Sequence, residues 1–154
     1  MAENRDAHFI GGISSAGDIE NCYNLGNVLA DASGEFYTYG IGGILGTTQA
    51  TSYNSYSKGK VEGYEESKIG GIIGNCTDDS GFKNNYYLKG TAKGGIGGKD
   101  LEGKAMPLEA SEMPSVLEVV STGNEKVEWN GEMVDIWKED RNNINNGYPI
   151  LFWQ

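Results

Sequence analysis

One phrase occurs three times in this chain, and it constrains the fold more than any other feature. The first copy reads Gly11-Gly12-Ile13 and then Asn21-Cys22-Tyr23-Asn24-Leu25-Gly26-Asn27-Val28. The second reads Gly42-Gly43-Ile44-Leu45-Gly46 and then Asn54-Ser55-Tyr56-Ser57-Lys58-Gly59-Lys60-Val61. The third reads Gly70-Gly71-Ile72-Ile73-Gly74 and then Asn85-Tyr86-Tyr87-Leu88-Lys89-Gly90-Thr91-Ala92. Self-similarity at a spacing of about 30 residues is the mark of stacked repeats, in which each unit is too small to bury its own apolar face and relies on its neighbours.

Stacking makes specific predictions. Equivalent residues of successive parallel strands lie about 4.8 Å apart. Ile13, Ile44 and Ile72 should then form a buried aliphatic column, and Tyr23, Tyr56 and Tyr87 a ring stack. Asn21, Asn54 and Asn85 should form an amide ladder. Gly26, Gly59 and Gly90 sit where the backbone is expected to need positive φ. The Gly-Gly pair before each Ile permits close backbone approach. The predicted class is mostly all-β, a right-handed parallel β-solenoid over residues 1–98; an antiparallel β-sandwich is the alternative.

The repeat resembles the GLUG motif family, named for its Gly-Leu-x-Gly block, which appears here as Gly43-Ile44-Leu45-Gly46 and Gly71-Ile72-Ile73-Gly74. The first copy departs from it, with Ser15 in place of the last glycine. The resemblance covers residues 9–98. It implies a bacterial secreted or cell-surface protein, since such repeats occur in adhesin-like proteins and in the non-catalytic part of immunoglobulin-A-cleaving metallopeptidases. The tail from Asn145 to Gln154 is similar to the segment that closes such repeats in bacterial surface proteins. The implied role is non-catalytic binding or presentation toward a host protein, such as immunoglobulin or a mucosal glycoprotein, or toward a glycan. A purely structural spacer and a polysaccharide lyase or hydrolase on a β-helix are the other readings.

Residues 99–154 break the repeat and are read as a C-terminal cap over the open end of the array. A helix is predicted from Ser111, as N-cap, to Val120. Pro114 lies in its first turn, and Met113, Val116, Leu117 and Val120 make its apolar face. Gly123 can end it. Asn130-Gly131 between Val127-Glu128-Trp129 and Glu132-Met133-Val134 is a strong hairpin signal. A last strand is predicted over Tyr148 to Trp153. Trp129, Trp137, Tyr148 and Trp153 are expected to supply the cap's apolar cover.

Composition narrows the partners. The net charge is −10 with only 12 Lys and Arg, so there is no basic patch for nucleic acid or an anionic membrane. No apolar run approaches the roughly 20 residues of a membrane span. The polar opening, Met1 to Asp6, is no signal peptide, and the chain is expected to be a piece of a longer secreted protein. Cys22 and Cys76 occupy non-equivalent positions and are expected to be free thiols.

Chemistry is sparse. His8 is the only histidine, which leaves no pattern for a nucleophilic triad or zinc, and no metal or other cofactor is expected. Gly94 to Asp100 grazes a calcium nonapeptide but reads better as a degenerate fourth repeat block. Asp78-Asp79 supplies too few oxygens for calcium. The carboxylate pairs Glu65-Glu66 and Asp18 with Glu20 are common by chance among 22 acidic residues. Tyr37, Tyr39 and Tyr64 are the candidate binding surface, because Tyr is enriched in binding patches.

Overall fold

Each copy of the repeat is broken into short strands by an asparagine in the left-handed region, a conformation Asn tolerates better than other side-chain-bearing residues. The computed structural model describes residues 7–30, 37–46, 50–64, 67–121 and 126–154. The first copy gives β1 (Ala7–Gly11), β2 (Ile19–Glu20), β3 (Tyr23–Asn24) and β4 (Val28–Leu29). The second gives β5 (Tyr37–Gly42), β6 (Ser52–Tyr53), β7 (Tyr56–Ser57) and β8 (Val61–Glu62). The third gives β9 (Lys68–Gly70), β10 (Phe82–Lys83) and β11 (Asn85–Leu88), and β12 (Ala105–Leu108) follows.

The strands assemble by position in the repeat. The sheets are β1-β5-β9, β10-β6-β2, β12-β11-β7-β3 and β4-β8, and all of these pairs are parallel. An antiparallel sandwich is thereby ruled out for these strands. The fold is all-β with small, mostly parallel sheets and little helix. Its core joins Ile44, Leu45, Ile72, Ile73, Phe82, Tyr87, Ile96 and Ala105, with a second cluster of Val28, Ile41 and Val61.

The glycine pairs are needed because backbone and opposing side chains approach closely. A Cβ on Gly43 would stand 2.1 Å from the Gly71 carbonyl oxygen, and one on Gly71 would stand 2.3 Å from the Tyr87 ring. Side chains also tie the copies together. Asp18 accepts both the N–H and the hydroxyl of Thr51, at 3.0 and 2.8 Å, and Asn27 accepts the Lys60 N–H at 2.9 Å.

Three columns differ from expectation. Ile44 and Ile72 are fully buried, but Ile13 is 43% exposed, since among the described residues the first copy pairs with the second alone. Tyr23 and Tyr56 stack with ring centroids 5.2 Å apart and planes 6° from parallel, yet the residue paired with Tyr56 in the third copy is Tyr86, and Tyr87 pairs with Ser57. The left-handed corner residues are Asn21, Asn54 and Asn84, with φ of 53°, 51° and 54°, so Asn84 and not Asn85 belongs to that column. The Asn84 amide donates to the Asn54 side-chain oxygen at 3.1 Å. Asn85 instead turns inward, accepting from the Ser52 hydroxyl at 2.9 Å and donating to the Ser52 carbonyl at 2.7 Å.

The glycine column also needs correction. Only Gly90 has positive φ, at 85°. Gly59 is required for another reason: a Cβ there would lie 1.8 Å from the Gly26 carbonyl oxygen.

The chain divides into two compact units at Leu108, ten residues beyond the expected boundary at 98. Gly94 to Ile96 pair with Gly71 to Ile73 as a partial fourth block, and β12 extends the sheet of β11. The second unit begins with a 3-10 turn, Met113–Ser115, that leads into α1 (Val116–Ser121). Glu112, not Ser111, is its N-cap residue; the Glu112 carboxylate accepts the Glu109 N–H at 2.9 Å. Gly123 lies outside the described residues. Antiparallel β13 (Val127–Trp129) and β14 (Glu132–Val134) join through Asn130 and Gly131, whose φ values of 53° and 84° give the two-residue type I′ turn that suits strand twist. β15 (Trp137–Lys138) pairs antiparallel with β16 (Ile150–Leu151), which covers two residues of the strand expected over 148–153; Phe152 and Trp153 lie in a turn.

Candidate functional site

The residues expected to form an apolar cap divide into two groups. Trp137, on β15, is buried together with Met113, Val116, Val120 and Ile150, and β15 lies against α1. Tyr148 is half-buried. Trp129 and Trp153, by contrast, are 52% and 58% exposed. Both pack on Phe152 in edge-to-face geometry: the Trp129 and Phe152 rings are 5.2 Å apart at 74°, and the Phe152 and Trp153 rings 4.8 Å apart at 85°. Met133, on the same hairpin as Trp129, is also exposed. Two indoles are thus held open to solvent by contacts with one phenyl ring. Such edge-to-face contacts are favourable and fix ring orientation. The Lys138 ammonium donates to the Phe152 carbonyl at 2.9 Å and anchors the tail that carries Phe152 and Trp153.

A second device positions that tail. The Asp140 carboxylate accepts the N–H groups of Ile144, Asn145 and Gly147 at 2.7, 2.6 and 3.0 Å, and the loop turns through Asn143, Asn146 and Gly147 at positive φ. Desolvation alone would raise the carboxyl pKa, but the three backbone N–H bonds outweigh it and lower the pKa below the ordinary carboxylate range. A lowered folded-state pKa gives stability that is complete above the unfolded value, about 4, and is lost as pH falls through the folded one. Tryptophan fluorescence of the second unit is therefore expected to change in an acid transition below pH about 4, and Asp140→Asn should blunt that transition while weakening the loop at neutral pH.

The tyrosines do not form one described patch. Tyr64 is 45% exposed, but the side chains of Tyr37 and Tyr39 lie outside the described residues. Near Tyr64 a cleft of about 530 Å³ opens along Lys60 to Gly63, with Ile69, Thr91 and Ala92 on its other walls. Beside it the β4-β8 sheet has two strands, and the third copy's Thr91 carbonyl accepts the Val61 N–H at 2.8 Å.

A second groove, about 480 Å³, is lined by Lys68, Cys76, Asp78, Asp79 and Lys99 among others. Its thiol is a poor nucleophile. Burial first, and the charge of Asp79 second, push the Cys76 pKa up, and the thiol donates to the Asp78 carbonyl at 3.0 Å. The carboxylates are engaged as well: Asp79 is ion-paired with Lys104, and Asp78 accepts the Ser80 N–H at 2.9 Å. Cys22 is likewise raised by burial, and both cysteines are free. Among the described residues there is no cluster of three His, Cys, Asp or Glu that could hold a metal ion, and no helix is long and apolar enough to cross a membrane.

Comparison of the chain with family models, with curated proteins and with solved structures finds no match.

Proposed function

We propose that this chain is a non-catalytic binding module: a right-handed parallel β-solenoid of GLUG type, followed by a small α+β unit that presents an aromatic surface. The setting we infer is the surface or secretions of a bacterium, and the ligand class is the glycan of a host glycoprotein, including glycosylated immunoglobulin. The observation that carries the reading is the exposed Trp129–Phe152–Trp153 cluster. Exposed apolar surface of this kind marks an interaction site, and indole faces stack on the C–H faces of pyranose rings. Register-matched parallel pairing of the three copies supports the solenoid, and the raised thiols and occupied carboxylates support a module without chemistry of its own.

The test is binding of the whole chain to an immobilised panel of mucin-type glycans and immunoglobulin A, before and after Trp153→Ala and Trp129→Ala. Each substitution should weaken binding by about tenfold or more, the effect expected of an aromatic hot spot worth at least 1.4 kcal/mol, and binding should survive chelation of metals. A chain that binds nothing on the panel is a spacer. Turnover of a polysaccharide, abolished by one carboxylate substitution, would make it an enzyme.

A further inference from the structure

We propose that the cleft lined by residues 60–63 and 90–93 binds the acetamido group of an N-acetylated sugar. It lies within the first unit and is a site separate from the aromatic surface. The choice of a sugar as carrier rests on the glycan reading above; the recognition of the amide does not.

The backbone carries the argument. Between the first two copies the ladder is regular. Val28 pairs with Val61, the Val28 N–H donates to the Lys60 carbonyl at 2.8 Å, and the Ala30 N–H donates to the Glu62 carbonyl at 3.0 Å. Between the second and third copies it begins in the same way, with the Val61 N–H donating to the Thr91 carbonyl at 2.8 Å. A continued parallel ladder would next have the Lys93 N–H donate to the Val61 carbonyl. That bond is not formed, and among the described residues neither group has another partner. Val61 is 3% exposed, and a backbone acceptor in so buried a residue calls for a partner.

Both residues line the cleft of about 530 Å³. A secondary amide carries its N–H and C=O on opposite sides. Set between the two walls, it donates to the Val61 carbonyl and accepts from the Lys93 N–H, as one amide of an intervening strand would.

The floor suits the acetyl methyl. At this ladder position Ala92 stands in the third copy where valine stands at 28 and 61. Ala92 and Ile69 pack against the Val28, Ile41 and Val61 cluster. Both are half-buried and line the cleft, so their apolar surface is open to it. The charges suit a neutral or acidic sugar, in contrast to the acidity of the whole chain. Lys60 is ion-paired with Glu62 at 2.6 Å, and Lys93 has no ion-pair partner among the described residues.

Titration of the whole chain with N-acetylglucosamine, followed by amide NMR, tests this. The Lys93 amide resonance should shift saturably with a Kd of about 1 mM, the affinity expected of a ligand of this size. Glucose, which lacks the acetamido group, should bind about tenfold more weakly or worse. Ala92→Val should abolish the shift without lowering the thermal midpoint, since it restores the valine of the other two copies. Trp129→Ala and Trp153→Ala should leave the shift unchanged, so failure of this site and failure of the aromatic surface are distinguishable. The proposal is overturned by no Lys93 shift up to about 20 mM sugar, by an equal response to glucose, or by a response that survives Ala92→Val. Acetyl-lysine bound as tightly as the sugar would overturn the sugar as carrier.

Discussion

Gly59→Ala is expected to disrupt the repeat unit, whereas Gly26→Ala, at the same place in the preceding copy, should leave its stability unchanged. The added methyl is identical in the two cases. At Gly59 it would stand 1.8 Å from the Gly26 carbonyl oxygen and 2.4 Å from its carbon. These are backbone atoms, and they can yield only if β4 and β8 separate, which would break the Val28 N–H to Lys60 carbonyl bond of 2.8 Å and its neighbours. Overpacking against side chains costs about 1–3 kcal/mol, and a backbone wedge belongs at or beyond the upper end of that range. A domain of this size loses roughly 4–8 °C per kcal/mol, so the first unit should melt about 12 °C lower or more. Parallel thermal scans of the two variants decide the matter. Equal midpoints would mean that the two copies do not approach as described.

The second large effect separates fold from function within the aromatic residues of the second unit. Trp137→Ala removes a side chain that is 97% buried, counting from its 3% exposure. Deleting a buried Trp costs about 3–5 kcal/mol through lost transfer energy and the cavity left behind. That is comparable with the whole stability of a small domain, so this unit should lose its cooperative transition. Trp153→Ala, at 58% exposed, should shift the transition by little. Near-ultraviolet circular dichroism during heating reads both. A Trp153→Ala variant as damaged as Trp137→Ala would mean that the exposed indoles serve the fold rather than a ligand.

Much of the first unit was legible because its signal is repetition, and repetition constrains register. The parallel stacking of Tyr23 on Tyr56 and the burial of Ile44 and Ile72 follow from spacing alone. The third copy misleads because Asn84-Asn85-Tyr86-Tyr87 can be read in two phases. Aligning Gly90 with Gly59 selects Asn85 and Tyr87. The fold selects Asn84 and Tyr86 and takes up the extra residue afterward, where the Val61 N–H reaches Thr91. Left-handed geometry at Asn84 is a backbone property that two adjacent asparagines advertise equally. The hairpin at Asn130-Gly131 was legible because its turn type needs those residues. The aromatic site was not. Hydrophobicity says that Trp137 and Trp153 are both apolar; which of them faces water depends on tertiary neighbours. The cleft beside Tyr64 brings Lys60 to Gly63 together with Thr91 and Ala92, a proximity that residue spacing does not display.

The stagger between copies, 33 residues from Glu20 to Tyr53 and 30 from Tyr53 to Lys83, has a kinetic consequence. The Cys22 N–H donates to the Ser55 hydroxyl, and the Thr51 N–H to the Asp18 carboxylate, across 33 residues in each case. Closing a loop of that size has an entropic penalty that depends on the loop and not on the length of the whole chain. The third copy therefore meets a closure step similar to that of the second. Relative contact order therefore falls as such an array lengthens, and folding rate is tied to the period of the repeat rather than to the number of copies. A chain built this way can gain copies without becoming a slower folder at each step.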